Sequence, residues 1–466
     1  MLGVTPLMTP TKTISNKAIT KRGLTTPQLL KAGLCVTWSA SLLLALTTIF
    51  GVQKQRHTIQ TVGKDSAPSI ILAQRIKDGL AGMDANAVNE LLVKPGENPR
   101  AIQDYEERRK AFSERIIGAA QNITYGDAEL KPIQTLQLGQ EDYIVKLQQA
   151  RDFNERGDAK GVLSAYRQAA QIMDNTLLPA ADALAQVNAE QLEITYAQQG
   201  VASTLALFFI LMSGLLLLTV LIALQLFLNH RMRRILNPML LAATAIALLY
   251  LGYTTRSFLS ASHDLKVATQ DAFASMRALR EGRSFGYVAN ADESRYLLDT
   301  ALAAKHEEAF FNNAAKIAKI PQSQTFETVA AALAQGKKVD GFTGLLAVEL
   351  NNITFPGERE AAMVTLSTFG RYFTIEQQIH QLEQSGQHDK AIALCTGYNQ
   401  GQSNWAFDEF KKANSDTINI NEKVFDQAVE QGFKEVDGFE MSAPIVAVVV
   451  SLLTLLGLLP RIQEYN

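Results

Sequence analysis

The stretch from Val201 to Tyr253 decides the fold. Residues 201–228 are VASTLALFFILMSGLLLLTVLIALQLFL and residues 235–253 are ILNPMLLAATAIALLYLGY, and neither run contains a charged side chain. A helix needs about 20 apolar residues to cross a bilayer core of roughly 30 Å, and both runs are close to or beyond that length. Soluble core helices rarely run so far without a charge, so a buried soluble hairpin is the weaker alternative. The segment 229–234, NHRMRR, predicts a tight turn between two transmembrane helices.

Two further apolar runs complete the predicted membrane part of the chain. The predicted spans are residues 32–52, 201–228, 235–254 and 443–460. They leave two long segments, a first segment at 53–200 and a second segment at 255–440. A cleaved signal peptide is the alternative for the first run, but no Ala-x-Ala site follows it.

Basic residues predict the orientation of the four spans. The tail 1–31 contains Lys and Arg without any Asp or Glu, the turn 229–234 contains three arginines, and the tail 461–466 contains Arg461. Cytoplasmic flanks of membrane proteins are enriched in Lys and Arg. The tail 1–31, which we expect to be disordered, the turn and the second tail are therefore predicted to be cytoplasmic. Both termini then lie inside a bacterial plasma (inner) membrane, and both long segments lie outside it.

Both long segments show helical rather than alternating apolar periodicity. In the first segment, apolar residues at helical spacing mark four helices, with breaks near Pro95-Gly96, Tyr125-Gly126 and Gly157-Asp158. Four antiparallel helices with short turns form an up-down bundle. The fold class predicted is therefore an all-α membrane protein with four transmembrane helices and two extracytoplasmic up-down four-helix bundles.

The second segment repeats the order of elements of the first. Ala291 to Tyr296 is predicted to open its second helix, and Ser385-Gly386-Gln387 matches Arg156-Gly157-Asp158 as the turn into the last helix. A span, a bundle and a span thus occur twice, which indicates duplication or a repeated plan.

The chain contains no metal-site, redox or phosphate-loop motif of a familiar enzyme. HExxH, CxxC and GxxxxGK patterns are all missing, and the histidines are scattered. Cys35 lies in an apolar run and Cys395 in a polar region, so no disulfide is predicted. The net charge of −2 gives no argument for nucleic acid. We expect a protein that is not an enzyme, has no cofactor or metal, and does not bind nucleic acid.

Several stretches of the first segment resemble a known sensor domain. Tyr105-Glu-Glu-Arg-Arg, Gly157-Asp158 and Met173-Asp-Asn-Thr-Leu-Leu-Pro-Ala180 resemble the extracytoplasmic four-helix-bundle sensor domain of bacterial chemoreceptors and histidine kinases. Chemoreceptors continue into a HAMP linker and a long cytoplasmic coil, whereas the predicted cytoplasmic parts here are short. The four-pass plan is similar to that of the GlnX-type membrane proteins of actinobacteria. This resemblance implies an extracytoplasmic solute-binding protein and a cytoplasmic Ser/Thr kinase as partners, and the chemoreceptor resemblance implies a homodimer.

These features predict a sensor or adaptor that passes a helix shift to a separate cytoplasmic partner. The alternative is a structural or accessory scaffold subunit of a cell-envelope complex. Basic residues on the first helices of the two segments are the candidate ligand contacts, namely Arg75, Lys77, Arg277, Arg280 and Arg283. The basic turn is the candidate contact for a cytoplasmic partner or for membrane lipid, through Arg231, Arg233 and Arg234.

Overall fold

The structure is a computed structural model that describes residues 25–232 and 236–464. Fifteen α-helices make up this part of the chain: α1 Thr26–Gln60, α2 Ala67–Leu91, α3 Pro99–Gln121, α4 Asp127–Glu155, α5 Ala159–Ile172, α6 Leu178–Met232, α7 Pro238–Lys266, α8 Phe273–Leu298, α9 Ala303–Ile317, α10 Phe326–Ala334, α11 Leu345–Asn351, α12 Glu358–Gln384, α13 His388–Thr396, α14 Ser403–Val436 and α15 Phe439–Gln463. Within these residues there is no β-strand, and one isolated bridge joins Lys319 to Thr343.

Four continuous helical stretches are long and apolar enough to cross a membrane. They are Thr26–Leu91, Ala159–Arg231, Pro238–Leu298 and Ser403–Gln463. The predicted all-α membrane protein with four spanning helices is thus confirmed. Most of these stretches contain a π-helical turn, at Thr61–Ser66, at Met173–Leu177 and at Val267–Ala272.

Two of the apolar helices begin at residues that differ from the sequence prediction. The tail predicted to be disordered at 1–31 ends earlier, because α1 begins at Thr26 and the Thr25 backbone N–H donates to Gln28 Oε1 at 3.0 Å. Residues 1–24 of that tail lie outside the described residues. The third span begins at Pro238, since Asn237 Oδ1 accepts the Met239 backbone N–H at 3.1 Å and caps the helix.

The apolar parts of the four stretches pack together as one compact unit. It comprises residues 25–47, 210–232, 236–252 and 441–464 of the described chain. Small hydroxyl side chains join neighbouring helices, with Ser41 Oγ 3.0 Å from Ser451 Oγ and Thr47 Oγ1 2.9 Å from Ser213 Oγ. Such contacts are typical of helix pairs in lipid, where apolar surface gives little net attraction.

The other unit contains both long segments in a single body. It comprises Thr48–Phe209 and Tyr253–Glu440, and α2 of the first segment packs along α8 of the second. The sequence predicts a bundle from each segment but gives no sign of a shared interface. The two segments share one core, because both α2 and α8 are buried over most of their length.

Equivalent contacts show that the two segments follow one plan. Asn122 Nδ2 donates to Ser69 Oγ at 2.7 Å, and Asn352 Nδ2 donates to Ser275 Oγ at 3.0 Å. In the first segment the asparagine follows α3 and contacts the start of α2. In the second segment it follows α11 and contacts the start of α8. Gly157 and Gly386 have φ angles of 70° and 75° at the matched turns, where a residue with a Cβ is disfavoured. These contacts favour the duplication that the element order indicates.

The predicted helix boundary at Ala291 is wrong. The helix α8 continues through this residue to Leu298. In the sequence, Asn290 resembles the last residue of one helix and Asp292 resembles the start of the next. In the structure both side chains are buried. Their tertiary partners, including Asn89 on Asn290 at 3.5 Å, replace the capping role that the sequence suggests.

A buried glutamate orders the same loop in both segments and offers a test of the repeat. Glu129 Oε2 accepts the backbone N–H groups of 124–125, both at 2.7 Å, and Glu358 Oε2 accepts those of 354–355 at 2.7 and 3.0 Å. A hydrogen bond to a charged group contributes about 1.5–3 kcal/mol. We expect Glu129→Ala and Glu358→Ala each to lower the free energy of unfolding by about 2 kcal/mol, measured by urea unfolding of the full chain in detergent. Glu360→Ala, on the exposed face of α12, is the control and should leave the free energy of unfolding unchanged. A loss of stability in only one of the two variants would contradict the equivalence of the two loops.

Candidate functional site

A cavity of about 540 Å³ lies where the first and second segments meet. Its walls come from α2, α6 and α8, with Lys316 of α9 at one side. Both signs of charge line it, with basic residues Lys77, Arg277, Arg280 and Lys316 and acidic residues Asp182, Glu190, Glu193 and Glu281. A cleft of this volume with a few convergent polar groups is typical of a small-molecule site.

The charged side chains of the cavity are held in place by their neighbours. Lys77 Nζ lies 2.6 Å from Asp182 Oδ1 and 5.0 Å from the centroid of the Phe285 ring. Lys316 Nζ lies 4.5 Å from the same ring centroid. Two cations on one aromatic ring are attracted to its negative faces. The result is a preformed cationic pair beside an exposed carboxylate.

Several buried polar atoms of the lining have no hydrogen-bond partner among the residues that the structure describes. They are Gln74 Oε1, Ser284 Oγ and Arg280 Nε. A buried polar atom without a partner costs about 1–3 kcal/mol, and a bound ligand or water removes that cost. The other end of Arg280 is engaged, with one terminal nitrogen donating to Glu422 Oε2 at 3.0 Å. Burial, followed by the charges of Arg75 and Arg283, lowers the pKa of Arg280 to about 10, so it stays charged at neutral pH.

Ion pairs and a hydrogen bond join α2 and α8 to each other and to α14. Arg283 lies 2.9 Å from Asp78 Oδ2 and donates to Ser415 Oγ at 3.0 Å. Glu422 bridges Arg75 at 3.4 Å and Arg280 at 3.0 Å. Arg280 therefore connects the cavity to the contacts with α14.

The structure brings together three of the predicted ligand contacts and separates the others. Lys77, Arg277 and Arg280 all line the cavity. Arg75 and Arg283 are not among its lining residues, and their ion-pair partners are Glu422 and Asp78.

The candidate partner-contacting turn is described only in part. Arg231 lies exposed in the last turn of α6, while Arg233 and Arg234 lie outside the described residues.

A buried ion cluster joins the two segments at a place that the sequence does not predict. Arg295 of α8 contacts Asp84 of α2 at 2.6 Å and Asp174 and Asp292 at 3.1 Å each. Its Nε donates to the Tyr166 hydroxyl at 3.1 Å. The available signal is the run of polar residues 292–295 on a helix with an apolar stripe, all of which are buried.

Burial dominates the electrostatics of this cluster. It raises the pKa of Asp84 above its ordinary value, although the Arg295 charge and the Tyr143 hydroxyl both lower it. It also raises the pKa of Tyr143 and Tyr166 well above that of a free tyrosine. Burial and the Arg295 charge thus act on Asp84 in opposite directions, and the contacts of the cluster hold α2 against α8.

Comparison with protein-family models gives a match over the first segment. Residues 58–197 match the family model described as an actinobacterial sensor domain. The matched residues run from the end of α1 to the part of α6 that lines the cavity. No curated protein and no solved structure matches the chain.

Proposed function

We propose that this chain is a transmembrane sensor that detects a small charged solute in the cavity between its two segments. The sensor-domain match over residues 58–197 supports the sensing role, and the cavity supplies a place for the solute. The observation that carries the proposal is that α2, α6 and α8 line the cavity and each belongs to a continuous helical stretch containing an apolar span.

The cavity favours a solute with both a negative and a positive group. Lys77 and Arg280 offer donors to an anionic group, and Glu190, Glu193 and Glu281 offer acceptors to a cationic one. Charge-assisted hydrogen bonds of this kind are about twice as strong as neutral ones. The solute arrives free or on an extracytoplasmic solute-binding protein, as the GlnX-type resemblance implies.

A bound solute can change the signal only if it binds one helix arrangement better than another. In this proposal the solute draws the charged side chains of α2, α6 and α8 together, and the spans that continue these helices shift. Packed helices have discrete alternative arrangements, so a small displacement is transmitted rather than absorbed. The plasma membrane is the proposed location, with Arg231 and its neighbours near a cytoplasmic partner such as a Ser/Thr kinase.

The test is a thermal shift of the full chain in detergent against amino acids and other small charged solutes. A ligand at about 100 times its Kd stabilises the folded state by about 2.7 kcal/mol, so a saturable rise of several degrees is expected. Lys77→Met should abolish the shift, because it removes the buried cation nearest Asp182. Lys110→Met, on the exposed face of α3, should leave the shift unchanged. No shift with any solute, together with co-purification of a stable large complex, would favour the scaffold function instead.

A further inference from the structure

Four glutamates of the second segment are 0% exposed, and two of them, Glu293 of α8 and Glu376 of α12, face one another's surroundings in the same core. Among the described residues, the single ion-pair contact of either is Glu376 with His380. Within that part of the chain, both oxygens of Glu293 and Oε2 of Glu376 have no hydrogen-bond partner. An isolated ionised carboxylate is too costly to bury, so this arrangement requires protons.

The surroundings of the pair are uncharged apart from one histidine and its acidic neighbours. The groups that face Glu293 are Glu376, Tyr372, Cys395 and Ser403, from α12, α13 and α14. None of the three neutral groups makes a hydrogen bond of normal geometry with that carboxyl. Two carboxyl groups at one dry site cannot both ionise, because their charges repel at short range.

Burial gives the pair a proton affinity close to neutral pH. It raises the pKa of Glu376 to about 8, with the charge of Glu307 adding to the effect. Burial, followed by the charge of Glu376, raises the pKa of Glu293 well above its ordinary value. Glu376 is thus mostly protonated at pH 7, and both carboxyl groups hold a proton more tightly than an exposed glutamate does.

A histidine connects the pair to the surface. His380 Nε2 lies 2.7 Å from Glu376 Oε1 within hydrogen-bond geometry, and His380 Nδ1 lies 3.1 Å from Glu307 Oε1, at ion-pair distance but outside hydrogen-bond geometry. The Glu307 side chain is 38% exposed. The imidazole is fixed by stacking on Tyr296, with ring centroids 4.0 Å apart. A histidine can accept a proton at one ring nitrogen and release one at the other. His380 can therefore relay protons between the Glu376 and Glu307 carboxyl groups.

From this geometry we infer that Glu293, Glu376 and His380 form a proton-binding site that exchanges with solvent through Glu307. The ligand is the proton, and the site is separate from the cavity. Glu293 lies on α8, the helix that also carries the cavity residues Arg277 and Arg280. A change of charge at the proton site therefore affects a helix that lines the cavity. The inference goes beyond solute sensing and holds whichever solute the cavity takes.

The direction of the pH effect follows from the pKa values. A carboxyl group whose pKa is raised on folding stabilises the folded state fully below its unfolded pKa, and this stabilisation is lost as pH rises through the folded value. For Glu376 the loss extends from about 4.5 to about 8. Burial lowers the pKa of His380, despite the opposing charges of Glu307, Glu293 and Glu383, so its contribution is lost instead as pH falls below 6.5. The range above pH 7 therefore separates Glu376 from His380.

The first measurement is the unfolding temperature of the full chain in detergent between pH 7 and pH 9. We expect the wild type to lose about 3 °C over this range and Glu376→Gln to remove the loss, because the amide is a neutral isostere. Glu349→Gln is the matched control. Burial raises the pKa of Glu349 to about 7, so this variant should flatten the profile mainly below pH 7 and reduce the loss above it much less than Glu376→Gln does.

The second measurement is independent of stability and follows the proton directly. Infrared difference spectra between pH 7 and pH 9 should show a protonated-carboxyl band that disappears with rising pH. The band should be lost in Glu376→Gln and retained in Glu349→Gln. Glu307→Gln should keep the band but slow its appearance after a pH jump at least several-fold, since the surface end of the relay is gone.

Two results would overturn the inference. One is an infrared spectrum at pH 7 in which neither Glu376→Gln nor Glu293→Gln removes any protonated-carboxyl band of the wild type. The other is an unfolding temperature whose fall above pH 7 is the same in wild type and in both glutamine variants. Neither result depends on finding a solute, so failure of the solute-sensing proposal and failure of the proton site are separately visible.

Discussion

Replacing Arg295 by methionine is expected to lower the free energy of unfolding by about 3–5 kcal/mol. The side chain is 5% exposed and is the cation nearest to the buried carboxylates of Asp84 and Asp292. Without it these buried charges keep only neutral hydrogen-bond donors such as Tyr143 and Asn313 close by, with His306 at 3.8 Å from Asp292. Chemical unfolding of the full chain in detergent measures the loss.

A double variant separates lost charge compensation from lost packing. Adding Asp84→Asn to Arg295→Met removes the stranded charge, and it should recover at least about 1 kcal/mol of the loss. Arg109→Met is the surface control, since Arg109 and Glu106 are each more than 40% exposed and such a pair contributes about 0–1 kcal/mol. A loss at Arg295 no larger than at Arg109 would show that the cluster does not clamp the segments.

Truncating Phe369 to alanine is expected to cost about 3–5 kcal/mol and to loosen both segments. This ring of α12 is 0% exposed, with centroids 5.2 Å from Phe410 and 5.5 Å from Phe326. Its removal leaves a cavity in the aromatic core of the second segment. Because the two segments form one compact unit, we expect the first to lose protection as well.

Hydrogen exchange with mass spectrometry checks this coupling directly. Peptides from α4 in the first segment should exchange faster in Phe369→Ala, together with those from α12. Val364→Ala, on the same helix but 54% exposed, should change neither set and should alter stability by less than about 0.5 kcal/mol. Unchanged exchange in α4 would mean that the segments unfold independently.

The membrane part of the fold could be predicted from the sequence because its signal is local. A run such as 201–228, without one charge, has few structural alternatives. The turns at Gly157 and Gly386 were also predictable, since both glycines adopt the positive φ that other residues avoid.

The interface of the two segments could not be predicted, because its residues resemble surface positions along the chain. Asp84 and Arg295 are more than 200 residues apart, and each alone suggests a solvated face. The same holds for the cavity. Its cations Lys77 and Arg280 were found because they stand on the first helices, whereas Asp182 and Glu281 become relevant only once α6 and α8 face each other.

The widened turns at Thr61–Ser66 and Val267–Ala272 have a mechanical consequence. Each holds one residue more than an ordinary helical turn, so the helix is locally wider and underwound there. Tightening the turn to α geometry would advance every side chain beyond it by about 100° around the axis, because successive residues are separated by that angle. Interconversion of the π turn and α geometry would thus rotate the part of the helix after the turn relative to the part before it, while the helix stays continuous.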